Sequence, residues 1–274
     1  MTVIPTLVYS NNQDLLYPED FKMDEFIHPI DLIKHKVYDM NEAWDVFVGG
    51  TRGIGKSTVG LGLGLVFNPK LLDMSPKIAL DKCWCFTVED QREKSRNAKR
   101  GDVLCFDEQG TQKGGSAYKY RSAENQDYAD DKQLDRTDGV INIGMTIDET
   151  RVIKRVRELY RVDVYPERKV SSKENNNNGM AIDCIVREIV QNPFAVYDGH
   201  RFNKKYFNYT AGGRITRWRI PHPPGEIWLE YSRRREEFKQ QLRDEREAKE
   251  SNRKSANSSE SSVDKINQLM KTYG

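Results

Sequence analysis

Gly50-Thr51-Arg52-Gly53-Ile54-Gly55-Lys56-Ser57 fits the pattern G-x-x-x-x-G-K-[ST] at every defined position, and it directly follows the apolar run WDVFV. The spacing has a physical reason. Glycines at 50, 53 and 55 allow the backbone to curl until successive N–H groups point inward at phosphate oxygens, and a helix beginning at Lys56 adds the partial positive charge of its N-terminus. Lys56 is then placed to reach the β- and γ-phosphates of a nucleoside triphosphate, the Ser57 hydroxyl to ligate Mg²⁺, and Thr58 to complete the cradle.

A second acidic constellation lies about fifty residues downstream, where the apolar run Val103-Leu104-Cys105-Phe106 ends in Asp107 and Glu108. A carboxylate at the C-terminal edge of a parallel strand lands beside the phosphate loop, so Asp107 is the expected Mg²⁺ ligand, directly or through water. Glu108, next along, is placed to act as base toward an attacking water, which favours hydrolysis over phosphoryl transfer to a small molecule. Residues 107–110 (DEQG) also fit a D-x-x-G guanine-nucleotide pattern, but no N-K-x-D or T-K-x-D follows on a strand end. The substrate expected is therefore ATP.

The elements that must position these groups are readable from periodicity. From Trp44 onward, short apolar runs alternate with helical stretches, as in a parallel sheet with crossover helices. The expected strands are 45–48, 83–88, 103–106, 140–145 and 162–165. The run from Cys83 to Val88, between the two motifs, suggests an extra strand. The first helix is locally awkward, since Leu61, Leu63 and Leu65 alternate with Gly60, Gly62 and Gly64 in a period of two. The phosphate loop demands a helix there, and its glycines can serve close packing on the sheet.

Motif order carries a family resemblance. The stretches VFVGGTRGIGKST, GDVLCFDEQG and LDRTDGVINIGMTIDETRVIKRVRELYRVDVY resemble the FtsK/HerA branch of P-loop ATPases, in particular the small genome-packaging or DNA-translocating ATPases of archaeal viruses and plasmids, with Zot-like phage proteins as relatives. The resemblance covers about residues 44 to 165. It implies a RecA-like, additional-strand α/β fold with a parallel central sheet. By position, Thr146 matches the polar sensor that ends the strand after the acidic one, although glutamine is common there. Arg136 matches an arginine ahead of that strand, which in ring ATPases completes a neighbour's γ-phosphate site. Arg151 and Arg155 are rivals for that role, on a helix expected over 148–160. The resemblance further implies a homo-oligomeric ring, in number a hexamer, that moves double-stranded DNA into a capsid, with a capsid or portal-vertex protein as a further partner. Two other readings are an NTP-dependent assembly factor acting on proteins and a nucleotide-binding structural protein with little turnover.

The remaining chain is expected to divide into an N-terminal arm (1–42), the ATPase core (43–165), a β-rich extension (166–225), a charged helix (226–254) and a flexible, Ser-rich tail (255–274). Pro166 and the run SSKENNNNG read as a polar loop closing the core. From Gly199 to Gly225 there are six basic residues, Arg201, Lys204, Lys205, Arg214, Arg217 and Arg219, with no acid, interleaved with Phe202, Tyr206, Phe207, Tyr209 and Trp218. Such a mixture suits phosphate pairing and base stacking, or else a solvated hairpin with core aromatics.

Composition sets outer bounds. The chain has 274 residues, a net charge of +2, 37% hydrophobic and 31% charged residues, enough for one full α/β domain with appendages. A balance so near neutrality does not by itself point to nucleic acid. No apolar stretch approaches the roughly 20 residues of a membrane span, and the N-terminus lacks the pattern of a signal peptide. The expected location is the cytoplasm, of a host if the chain is viral, with no membrane partner. The four cysteines read as buried reduced thiols rather than a metal site, because Cys83 and Cys85 have no second ligand pair nearby.

Overall fold

A computed structural model describes residues 29–40, 44–107, 130, 138–147, 152, 154–175, 179–191, 202–208, 214–215 and 217–273. The chain divides into two compact units, Met1–Ile227 and Trp228–Gly274.

In the first unit, α1 (Pro29–Tyr38) buries Ile33 and Val37, one turn apart. β1 (Trp44–Val48) follows, then α2 (Lys56–Phe67), a short 3₁₀ turn (Pro69–Asp73), α3 (Pro76–Cys83), β2 (Trp84–Cys85), α4 (Val88–Asn97) and β3 (Val103–Phe106). β4 (Ile141–Met145), the single turn α5 (Lys154–Arg157) and β5 (Tyr160–Val170) complete the crossover region. Beyond them lie β6 (Ala181–Gln191), β7 (Phe202–Lys205), β8 (Phe207–Asn208), β9 (Arg214–Ile215) and β10 (Arg217–Pro221).

The main sheet has eight strands, in the order β10-β6-β5-β1-β4-β3-β2, with β7 also on β6. Five strands, β5-β1-β4-β3-β2, run parallel. β4 is inserted between the strand before the phosphate loop and the strand before Asp107, which is the additional-strand, RecA-like order of a P-loop α/β fold. The extra strand is thus β4, which follows both motifs in the chain. The Cys83–Val88 run supplies only the two-residue edge strand β2. Cys83 closes α3, and Val88 opens α4, where the Thr87 hydroxyl accepts a hydrogen bond from the Asp90 amide at 3.0 Å. Two helix ends leave room for little strand between them.

α2 is a helix despite its alternating sequence, and every residue in it but Ser57 is buried. Leu61 and Leu65 share one face of the helix and Leu63 lies roughly opposite, so all three are covered only because the element is enclosed on more than one side. The glycines at 60 and 64 share the sheet-facing side one turn apart. A Cβ at Gly60 would stand 2.2 Å from Met145 Sδ, and one at Gly64 would stand 2.9 Å from Cys105 Sγ. Absent side chains let the helix lie on β3 and β4 at this depth.

Pro166 does not end the core. β5 continues through it to Val170, with a register shift between Pro166 and Arg168 where the missing N–H is tolerated. β6 pairs antiparallel with β5, and β10 and β7 with β6, so most of the extension's strands join the main sheet. β8 and β9 form a separate two-stranded sheet.

The second unit is helical. α6 spans Gly225–Tyr273, through the Ser-rich run where composition predicts disorder. Glu230 accepts hydrogen bonds from Arg233 and Arg234, which hold its carboxyl down at about 2. This pairing should support the helix fully above pH 4.5 or so and fade as pH falls toward 2, because only the ionised carboxylate accepts both bonds. A carboxyl-carbon NMR titration of Glu230 should give a midpoint near 2, and an ordinary carboxylate midpoint would mean that the pairing does not persist in solution.

Candidate functional site

The loop leaving β1 is built by three glycines at positive φ: Gly50 at 137°, Gly53 at 80° and Gly55 at 106°. Gly55 is the N-cap of α2 and no side chain caps that end, so its first amides are left for another acceptor. Thr51, Arg52 and Gly53 are exposed, Ile54 and Gly55 partly so, and Thr58 is buried. Lys56 is almost wholly buried, and its ammonium donates to the carbonyls of Gly50 and Thr51, each at 2.9 Å. The lysine spans the mouth of the loop it closes.

Ser57, the next residue, directs its hydroxyl across to β3, donating to Asp107 at 3.2 Å from Oδ1 and 3.4 Å from Oδ2. Asp107 is buried just past the end of β3, its own amide donating to the Cys85 carbonyl at 3.1 Å. Two motifs fifty residues apart therefore meet. A hydroxyl beside a carboxylate is the oxygen donor pair that a hard divalent cation takes when phosphate and water fill its remaining positions. The residues present fit Mg²⁺. Among the described residues there is no group of three or more His, Cys, Asp or Glu side chains able to hold a metal by themselves.

Between these strands, just past the end of β4, lies Thr146, whose amide donates to the Val48 carbonyl at 3.2 Å. Its side chain is fully buried, and Oγ1 has no hydrogen-bond partner among the described residues. An orphaned buried hydroxyl costs about 1–3 kcal/mol, so an isosteric Thr146→Val exchange should leave stability unchanged or raise it by about 1–2 kcal/mol. If the hydroxyl serves a reacting group, the same exchange should slow hydrolysis roughly 10²-fold. Thermal melts and turnover of the one variant check both halves, and an unaltered rate would release Thr146 from the site.

Glu108, Arg136 and Arg151 lie outside the described residues. Arg155 is described: it is exposed and paired with Asp130 at 3.2 Å. The four cysteines are free and buried, and burial pushes the thiols of Cys105 and Cys184 well above their ordinary range.

The basic stretch looks different in three dimensions. Arg219 pairs with buried Asp183 at 2.8 Å, Arg217 with Glu167 at 2.9 Å, and Lys204 with buried Asp163 at 3.3 Å while lying 5.9 Å from the Phe47 ring centroid. Trp218 is buried, whereas Lys205 is exposed. The acids missing from residues 199–225 come from β5 and β6. Their alternation along two paired strands was the available signal, and counting charge within one segment does not reveal it. Also unforeseen is the flank formed by Tyr165, Pro166 and Ile182. A Cβ at Gly50 would approach Tyr165 Cε2 at 3.6 Å and Pro166 Cδ at 3.7 Å, and one at Gly55 would meet Ile182 Cδ1 at 2.5 Å.

Strand order, phosphate loop and acidic strand end together define a P-loop NTPase fold of the additional-strand class. No protein-family model matches the chain, and no curated protein matches it in sequence. Among solved structures the chain is similar to the N-terminal domain of zonular occludens toxin from Neisseria meningitidis, with a TM-score of 0.33 and 14% identity over 61% of this chain and 95% of that one. It is also similar to the genome packaging NTPase B204 from Sulfolobus turreted icosahedral virus 2 in complex with ATP-gammaS, with a TM-score of 0.31 and 9% identity over 61% of this chain and 98% of that one. Among the described residues no helix is long and apolar enough to cross a membrane.

Proposed function

We propose that this chain is an ATP phosphohydrolase. The observation that carries the reading is the 3.2 Å approach of Ser57 Oγ to Asp107, which joins the phosphate loop to the acidic strand end in one place. The amides of residues 50–58 and the N-terminus of α2 bind the phosphates, and Lys56 exchanges its two loop carbonyls for β- and γ-phosphate oxygens. Ser57 and Asp107 hold Mg²⁺, which supplies charge neutralisation at the phosphate oxygens. Thr146 Oγ1 orients the attacking water, and Glu108 takes its proton. Arg136 acts from a neighbouring copy on the charge that develops in the transition state, with Arg151 and Arg155 as rivals.

Hydrolysis is coupled to movement of double-stranded DNA by a ring of copies, a hexamer, for genome packaging into a capsid from the cytoplasm. Support for this part is the motif order and the exposed Lys205. A second reading, in which turnover drives assembly of proteins without gripping DNA, is favoured by the pairing of Lys204, Arg217 and Arg219 with acids of β5 and β6. The ATPase rate with and without duplex DNA, taken with the mass from size-exclusion chromatography, tests both. Stimulation in a ring-sized species supports DNA movement, turnover without stimulation supports the second reading, and no turnover at all overturns the hydrolase.

A further inference from the structure

We propose that Tyr165 is the platform on which the nucleotide base stacks, with Pro166 and Ile182 forming the wall behind it; this rests on the phosphate-loop reading above. The argument begins with the two flanks of the loop. On one flank, the Val48 carbonyl accepts from Thr146, and Asp107 lies at the end of the strand beyond. On the other, the Gly49 amide donates to the Val164 carbonyl at 3.1 Å, and the next residue is Tyr165.

The groups suited to the γ-phosphate, Asp107 and Thr146, all belong to the first flank. A triphosphate seated with that end toward them directs its ribose and base toward the second. There β5 runs past the loop and β6 returns beside it, pairing Tyr165 with Ile185 and Lys169 with Ile182. The hairpin stem touches the loop itself, since the positions a Cβ would take at Gly50 and Gly55 fall against Tyr165, Pro166 and Ile182. Ile182 is buried and forms the back of this wall, while Tyr165 stays 36% exposed at its front.

An aromatic ring left open to solvent beside a phosphate cradle has the chemistry of a stacking surface. Its face accepts the face of a base without reading hydrogen-bonding edges, and the apolar wall behind it keeps the ring in place. The absence of side chains at 50 and 55 lets the loop lie directly against the hairpin, and the Gly49–Val164 bond ties the two together, so a base on Tyr165 and phosphates in the loop are near neighbours.

The test separates the base from the phosphates. Calorimetric titration of the full chain, with Mg²⁺, uses ATP and inorganic tripolyphosphate as the two probes, on the native chain, Tyr165→Ala and Tyr165→Phe. Tyr165→Ala should weaken ATP roughly tenfold, the scale of one lost base stack, and change tripolyphosphate affinity by less than about twofold. Tyr165→Phe should keep the native affinity for both. Equal weakening of both probes would mean that the ring shapes the loop and does not carry a base, and unchanged ATP affinity in Tyr165→Ala would likewise overturn the platform. If the native chain bound neither probe, the phosphate-loop reading would fall and the platform with it, whereas a native chain that binds both confines any failure to Tyr165.

Discussion

Replacing Lys56 with alanine should abolish measurable ATP hydrolysis and weaken ATP binding at the same time, while the protein keeps its fold. The lysine is the single cation of the loop placed inside it: almost fully buried, at the first position of α2, with its ammonium 2.9 Å from two carbonyls of the loop. A charged donor to a phosphate oxygen contributes about 1.5–3 kcal/mol, and two such contacts together correspond to roughly 10²–10⁴ in rate or affinity. Loss of the two bonds to Gly50 and Thr51 removes some order from the ligand-free loop, but Thr51 is exposed, so water can replace the ammonium at its carbonyl. Lys56→Arg should not rescue, because a planar guanidinium does not fit a point-charge site between curled amides. Turnover by phosphate release, binding by calorimetry and a thermal melt distinguish the outcomes. Native turnover in Lys56→Ala would remove the hydrolase reading, and loss of activity with a collapsed melt would show a structural role instead.

How much of this was legible beforehand depended on whether a signal was local. The start of α2 at Lys56 and the limits of β3 at Val103 and Phe106 follow from the two motifs, because a phosphate loop needs a strand before it and a helix after it. Periodicity alone gives the wrong answer for Leu61 to Leu65, and the motif corrects it. By contrast, the run KCWCF alternates like a strand, yet helix ends at Cys83 and Val88 consume most of it. Pro166 reads as a terminator, but β5 continues through it, with a register shift between Pro166 and Arg168. The charge pairing of the basic stretch was not legible at all, since Asp163 and Asp183 reach it only through strand pairing. Local sequence therefore gave the chemistry of the loop, while the groups flanking it on β5 and β6 depended on the fold.

The glycines of α2 provide the second large effect, on stability. Gly60→Val should destabilise the protein by about 3 kcal/mol, the upper end of what overpacking a well-filled core costs. A Cβ at this position stands 2.2 Å from Sδ and 2.8 Å from Cε of Met145, a side chain with no exposed surface into which it could retreat. Helix propensity opposes the loss only weakly, since a β-branched residue gains little over glycine in a helix. For a chain of this size 3 kcal/mol corresponds to a fall of roughly 6–12 °C in Tm. Gly64→Ala is the internal comparison. Its Cβ meets only Cys105 Sγ closely, at 2.9 Å, and the propensity gained from alanine, about 1 kcal/mol, offsets most of the crowding. That variant should melt within a few degrees of the native protein. A double-mutant cycle assigns the cause: Met145→Ala alone opens a cavity and costs about 2–5 kcal/mol, but Gly60→Val fills part of the space that it leaves. The two losses should then fall short of additivity by more than about 1 kcal/mol. Strict additivity, or a Gly60→Val protein as stable as the native one, would mean that α2 does not rest on β4 through this glycine, and that the close seating of the phosphate-loop helix has another origin.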